Sequence, residues 1–516
     1  MTPLLVPTLA DPGAGPGADL TADAALADAQ LAEVALAAAG LSAKDRQFIN
    51  RFSYGYTTKI ASQVRAAGGG RAWFERQLSP GSIKDGPGNA VDDWFPVLWY
   101  KPAKLWQRAQ NDITPSWILM ADMGRWTMMR RAKSNRQLLE VMTDFWSNML
   151  HIPLGDDEAW PYRISYDKLI RKHALGRFDD MLAAAIVHQS MGLYLDNATS
   201  TKDAPNENLG RELLELHSVG LDAGYTERDV KMSSRMLTGY RVDLWWPEFR
   251  SYYSKTDHWT GRIRVLDFSH PNKDGDGRKA TDKYLRYLAQ HPATAKRIAR
   301  RLCVKFVHDE PSSDLVNTVA RAYRRSGTNI ATTLRAMVSH PEFAASSGEK
   351  VRMPLDDTIA TIRALRIKPA KPKNDSSFAR SIYWVAQGQG QTPYSWPAPN
   401  GFPEVDAAWS GPGRVLDSFS VHRSLTMAWW PSQGARWRKP AAWAPDTAMD
   451  FGKVIDYVSL QLHGKKAPKR VKNGISARMG IPLGRRTTPS TLLESDGIRI
   501  KQILVSLLDS PTQMTR

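Results

Sequence analysis

Apolar positions along this chain recur at helical spacing from residue 42 nearly to the end, and they alternate only in one short region. Ser42 has the form of an N-cap before the amphipathic AKDRQFINRF, and TKIASQVRAAGGG stops at three glycines. RAWFERQL and two longer stretches between about 103 and 151 follow. Further helices are predicted at 164–173, 177–189, 205–217, 226–237, 281–290, 292–308, 313–326, 328–339, 355–366, 412–429, 449–463 and 495–509. Alternation with aromatic and β-branched residues appears in TGYRVDLWW (238–246), SYYSK and GRIRVLDF (261–268), which together predict one hairpin. The pattern therefore predicts a mainly α fold. It is a large multi-helix body with one small β-hairpin and a Trp/Pro-rich irregular C-terminal region. Residues 1–41 are expected to be a disordered start and an Ala-rich helical arm, 42–430 the helical body, and 431–516 a basic C-terminal extension with terminal helices.

No window reaches the ~18 consecutive apolar residues of a membrane span. No Lys or Arg precedes Lys44, so the basic start of a secretory signal is missing and a cytoplasmic location is the default expectation. The single cysteine, Cys303, excludes an intrachain disulfide and a multi-cysteine zinc site. It lies in the amphipathic ATAKRIARRLCVKFV and is expected to be buried and inert. A formal net charge of +18 favours anionic partners: nucleic acid, an anionic polymer or an acidic protein surface. Basic residues collect in KRIARR (296–301), KPAKPK (368–373), KKAPKRVK (465–472) and GRR (484–486). No nucleic-acid-binding module, nucleophile elbow, phosphate-binding glycine loop, HExxH or dinucleotide fingerprint is recognisable. Several of the 18 tryptophans, such as Trp396, Trp409, Trp437 and Trp443, sit in Gly/Pro-rich loops, where they either pin irregular backbone to the core, the favoured role, or line a groove that stacks sugar rings or bases.

The densest chemistry lies at 194–220, YLDNATSTKDAPNENLGRELLELHSVG. At about 100° per residue, Asn208, Arg211, Glu212 and Glu215 fall within an arc of roughly 100°, and Leu209, Leu213 and Leu216 occupy the adjacent face. Glu212 and Glu215, one turn apart, suit a hard divalent cation such as Ca²⁺, Mg²⁺ or Mn²⁺. Alternatively, one ionises beside Arg211 while the pKa of the other rises, giving a base and an acid. Two further readings stay open: a buried polar network, and a solvated face on which Arg211 bridges Glu207 and Glu215. Asn272, Asp274, Asp276 and Gly277 in SHPNKDGDGRKATDK have the look of a calcium loop, but Lys283 stands where an EF-hand needs glutamate.

Several segments resemble, in order, the bacterial family known as domain of unknown function 1800: NRFSYGYT (50–57), FWSNMLHI (145–152), LYLDN with APNENLGRELLELHSVG, GYTERDV…LTGYRVD, HPATAKRIARRLCVKFV, SHPEF (339–343) and WPAPNGFP (396–403). The resemblance covers roughly 43–430. It implies a helical fold, frequent export of members and proximity to phosphatase- or sulfatase-like partners, with no settled activity. The family often carries a histidine pair flanking an asparagine where this chain has Ser147, Asn148 and Met149. Taken together, the segments nominate a polar centre of Asn148, His151, Asn197, Asn206, Glu207, Asn208, Arg211, Glu212 and Glu215. Glu212 and Glu215 are its base or metal ligands, Arg211 holds substrate charge, and His151 is a further general-base or metal candidate. The amides, with Trp146 beside them, bind substrate. The expected function is an enzyme, metal-assisted or carboxylate acid/base, acting on an anionic or glycan-like polymer. The alternative is a non-catalytic binding or assembly protein.

Overall fold

The structure is a computed structural model that describes residues 41–155, 158–243, 249–374 and 377–516. Residues 1–40 of the disordered start and Ala-rich arm expected at 1–41, and residues 244–248 of the expected hairpin, lie outside the described residues. Helices make up most of the rest, and the sheets are small two-stranded antiparallel pairs. Among the described residues no helix is long and apolar enough to cross a membrane.

The capping signals act as the sequence predicts. Ser42 caps Ala43–Phe52 in a reciprocal box: its hydroxyl accepts from the Asp45 N–H at 3.0 Å, and the Asp45 carboxylate accepts from the Ser42 N–H at 2.9 Å. Gly68, in the left-handed region, closes Thr58–Ala67. One continuous apolar core runs from Leu41 to Leu508. Helix Phe451–His463 and the segment Pro489–Leu508, two helices joined by a break over Glu494–Gly497, bury Val454, Ile455, Ile500 and Ile503 in that same core, so the basic C-terminal segment packs as part of the body. Cys303 is buried within helix Pro292–Phe306.

The strand region forms two hairpins where the pattern predicts one. Tyr240–Val242 pairs with Ser251–Tyr253, and Ile263–Val265 pairs with Phe268–His270. The second turn has Leu266 at φ 50°, with its N–H held by the Asp229 carboxylate at 2.9 Å. Leucine is no turn signal, so a tertiary hydrogen bond sets a turn that local composition does not announce. In the calcium-like loop, Asp276 faces Arg278 at 2.7 Å and Lys255 at 3.4 Å. Two of the loop tryptophans anchor backbone, while the indole N–H of Trp396 donates to the Asn400 side chain at 2.8 Å. The indole N–H of Trp409 donates to the Pro403 carbonyl, and that of Trp437 donates to the Leu425 carbonyl.

Candidate functional site

The segment from Asp196 to Gly220 folds as a capped loop, a short α-turn (Asn208–Glu212) and a π-helical turn (Leu213–His217). Asn206 Oδ1 accepts from the Asn208 N–H at 2.9 Å, and Asn208 Nδ2 donates to Asp196 at 2.9 Å. These amides therefore stabilise the loop-to-helix junction. Arg211 points outward to a bidentate pair with Glu227, both contacts 2.7 Å, and a longer one with Glu207 at 3.4 Å. The widened turn after Glu212 departs from 3.6 residues per turn, so Glu215 leaves the stripe that the helical wheel draws. Glu212 is half-buried, and burial with the neighbouring Glu215 charge raises its pKa.

Glu215 lines a cleft of about 830 Å³. Its other walls come from the KRIARR helix, which contributes Lys296, Arg297, Arg300 and Arg301, and from the 396–404 loop, which contributes Trp396, Phe402 and Glu404. Leu221 and Asp222 complete the rim beside Glu215. Arg297 spans the base: its Nη2 donates to the Leu216 carbonyl at 3.1 Å, in the last turn of the π-helix, while its Nε is buried without a hydrogen-bond partner. Burial lowers the pKa of Arg297, and nearby Arg301 adds to this, against the pull of Glu215 and Asp222. Gly220 allows this approach. It has φ 80°, and a Cβ there would stand 2.9 Å from Arg297 Nη1. Glu404 is engaged by Lys305 at 3.2 Å and Arg301 at 3.8 Å. Lys296 and Arg300 are exposed, with no ion-pair partner among the described residues.

Helix Gln137–Met149 and the residues after it hold the cleft's loop wall. Asn148 Nδ2 donates to the Phe402 carbonyl at 2.8 Å, and its Oδ1 accepts from the Phe402 N–H at 2.7 Å. Gly401 sits against this clamp at φ 71°, and a Cβ there would fall 2.1 Å from the Asn148 carbonyl oxygen. His151 Nε2 meets the Trp396 carbonyl at 2.7 Å and so carries the proton in that bond. Burial drives the His151 pKa down to about 4, so the ring is neutral at pH 7 and committed to positioning the loop. His217 repeats the arrangement: its Nδ1 meets the Met149 carbonyl at 3.1 Å, Nε2 is buried without a partner, and burial lowers its pKa to about 4.

The structure thus brings Glu215 to the cleft and sets Asn148 and His151 directly behind its loop wall, while the remaining nominated residues lie elsewhere. Trp146 is fully buried, with its indole N–H on the Ala174 carbonyl at 2.9 Å. Asn197 is buried and donates to the Leu237 carbonyl at 3.0 Å, and its Oδ1 has no partner. Asn206, Asn208, Glu207 and Arg211 serve the junction and its outer face. Among the described residues, no three His, Cys, Asp or Glu side chains are grouped to hold a metal ion. A divalent cation at Glu212 and Glu215 would leave its other positions to water or ligand. Sequence reasoning did not assign Lys296, Arg297 and Arg300 to the site, although 296/300 and 297/301 are i, i+4 pairs on one helix.

Three of the segments that carry the family resemblance supply the walls of this cleft. The model of the family described as "Protein of unknown function (DUF1800)" matches residues 47–513. The chain belongs to the DUF1800 family. That match runs past 430 through the C-terminal helices that share the body's core. No curated protein and no solved structure matches this DUF1800 chain.

Proposed function

We propose that the cleft binds an anionic, glycan-like polymer. The observation that carries this reading is a cleft lined by the exposed Lys296 and Arg300, with Arg297 at its base, and by Trp396 and Phe402 of the 396–404 loop. Exposed cations recruit carboxylate or sulfate groups, and an aromatic face packs against the apolar face of a ring. Glu215 and Asp222 in the same cleft favour a second, catalytic reading, in which Glu215 takes or gives a proton to bound ligand.

Titration of the full chain with a carboxylated polysaccharide and with neutral dextran, followed by tryptophan fluorescence, tests the binding. Affinity for the charged polymer alone is expected. It should fall with salt, and at least ten-fold in a Lys296→Glu/Arg300→Glu double variant. Equal affinity for dextran, or an unmoved double variant, would refute the reading. Reducing-end release by the wild type that disappears in Glu215→Gln while binding persists would support catalysis. Binding without release would leave a binding or assembly protein.

A further inference from the structure

The opening turn of the body, Asn50–Thr57, takes no part in the cleft, yet it borders a second pocket of different character. This pocket has a volume of about 120 Å³ and lies where Ala43–Phe52, the end of Phe451–His463 and the last residues of the chain meet. Arg46, Arg352, Lys465 and Arg516 line it, and no Asp or Glu side chain does among the described residues. Arg51 stands behind, fully buried.

The donors around it are only partly used. Arg352 gives Nε to the Gln513 carbonyl at 2.8 Å and Nη2 to Asn50 at 3.3 Å, while its Nη1 is buried without a partner. Arg516 gives Nη1 to Asp356 at 2.9 Å, and its Nε is likewise unpartnered. Arg51 donates Nη2 to the Ser346 carbonyl, leaving Nε and Nη1 without partners, and the buried Tyr56 hydroxyl has none. A buried donor left unmade carries its full desolvation penalty. Clustered guanidinium groups add mutual repulsion. The charges already strain against one another: burial and the neighbouring arginines lower the pKa of Arg51 to about 9 and that of Arg352 to about 10. His463, at the same wall, is held neutral at about 3 by burial beside Lys465 and Arg352.

We propose that this pocket binds one small tetrahedral oxyanion, a phosphate or sulfate group, through Arg46, Arg352, Lys465, Arg516 and the Tyr56 hydroxyl. At about 30 Å³ per water, its volume holds about four waters, or one five-atom oxyanion. Forked guanidinium donors match the oxyanion's edges, and the ammonium of Lys465 adds a point charge. The Gln513 carbonyl holds Arg352 and the Asp356 carboxylate holds Arg516, so both guanidinium groups are fixed before an oxyanion arrives and binding ties 513–516 to the opening turn.

The test is calorimetric titration and thermal denaturation of the full chain, in chloride buffer of fixed ionic strength, with inorganic phosphate, sulfate and glucose 6-phosphate. Saturable one-to-one binding of phosphate or sulfate is expected, with Tm rising as the oxyanion is added. Arg46→Gln and Lys465→Gln should each weaken binding at least five-fold, and Arg211→Gln, which lies outside both pockets, should leave it unchanged. Should a charge-removing variant fail to fold, Tyr56→Phe, which removes a single hydroxyl, is expected to weaken binding in the same direction. Equal affinity of glucose 6-phosphate would identify a phosphomonoester end as the source, and binding of the inorganic ions alone would identify the free ion. A Tm rise matched by added chloride, or affinity unchanged in Arg46→Gln and Lys465→Gln, would overturn the proposal.

Discussion

Replacing Asn148 by alanine separates two roles that its position near the cleft allows. As a ligand-binding amide, its loss would weaken binding and leave the fold untouched. As the clamp seen here, its loss orphans both the N–H and the carbonyl of Phe402, each paired to Asn148 at under 3 Å and both buried. An unmade buried backbone group costs about 1–3 kcal/mol, so the two together cost about 2–6 kcal/mol. An unfolding entropy of ~2.1 cal/mol/K per residue, over 516 residues, is about 1.1 kcal/mol/K. The expected fall in Tm is therefore about 2–6 °C, read by differential scanning calorimetry. Asn148→Asp keeps the acceptor but sets a carboxylate against the Phe402 carbonyl, so it should destabilise at least as much. Because the wall moves in both variants, affinity for an anionic polymer falls alongside stability. A variant with unchanged Tm and abolished binding would refute the clamp and restore Asn148 as a ligand contact.

Three further outcomes follow from geometry elsewhere in the molecule. His422 lies between Asp357 at 3.2 Å and Asp509 at 2.9 Å, and these carboxylates raise its pKa to about 9 despite burial. Its folded value lies above its unfolded 6.5, so the stabilisation, on the order of 3 kcal/mol, is complete below 6.5 and is lost as pH rises through about 9. The urea midpoint should fall between pH 6.5 and pH 10, and His422→Gln should flatten that dependence; a flat wild-type curve would contradict the pairing. Arg211→Ala should barely move Tm and should leave polymer binding intact, because its partner Glu227 is on the surface; a ten-fold loss of affinity would return Arg211 to the site. Cys303, whose thiol pKa burial pushes up to about 12, should react with a thiol reagent only on unfolding, and rapid labelling of the native chain would contradict its placement.

The helical body was legible because its signals are local. The Ser42 box, the Gly68 stop and the apolar periodicity each need only a few neighbouring residues. The signature segment was legible as an address but not as a geometry. A wheel at 3.6 residues per turn places Arg211 with Glu215, whereas the π-turn at Leu213–His217 sends Glu215 to the cleft and leaves Arg211 facing Glu227. Nothing in LLELH announces that widening. The cleft itself joins residues 215, 297 and 396, whose separation in sequence exceeds the reach of any periodic pattern. Asn148 and His151 carried a real signal, since polar side chains at the end of an apolar helix call for partners. Only the fold shows that these partners are the carbonyl and amide groups of the 396–402 loop.

The central claim, that the cleft beside Glu215 is where this chain meets an anionic polymer, is tested most directly by a hydrogen-exchange footprint of the full chain with and without a carboxylated polysaccharide. The account predicts protection on binding confined to 213–222, 293–304 and 396–404, and its loss in the Lys296→Glu/Arg300→Glu variant. Protection elsewhere with those three segments unchanged, or a footprint that survives the double variant, would contradict it.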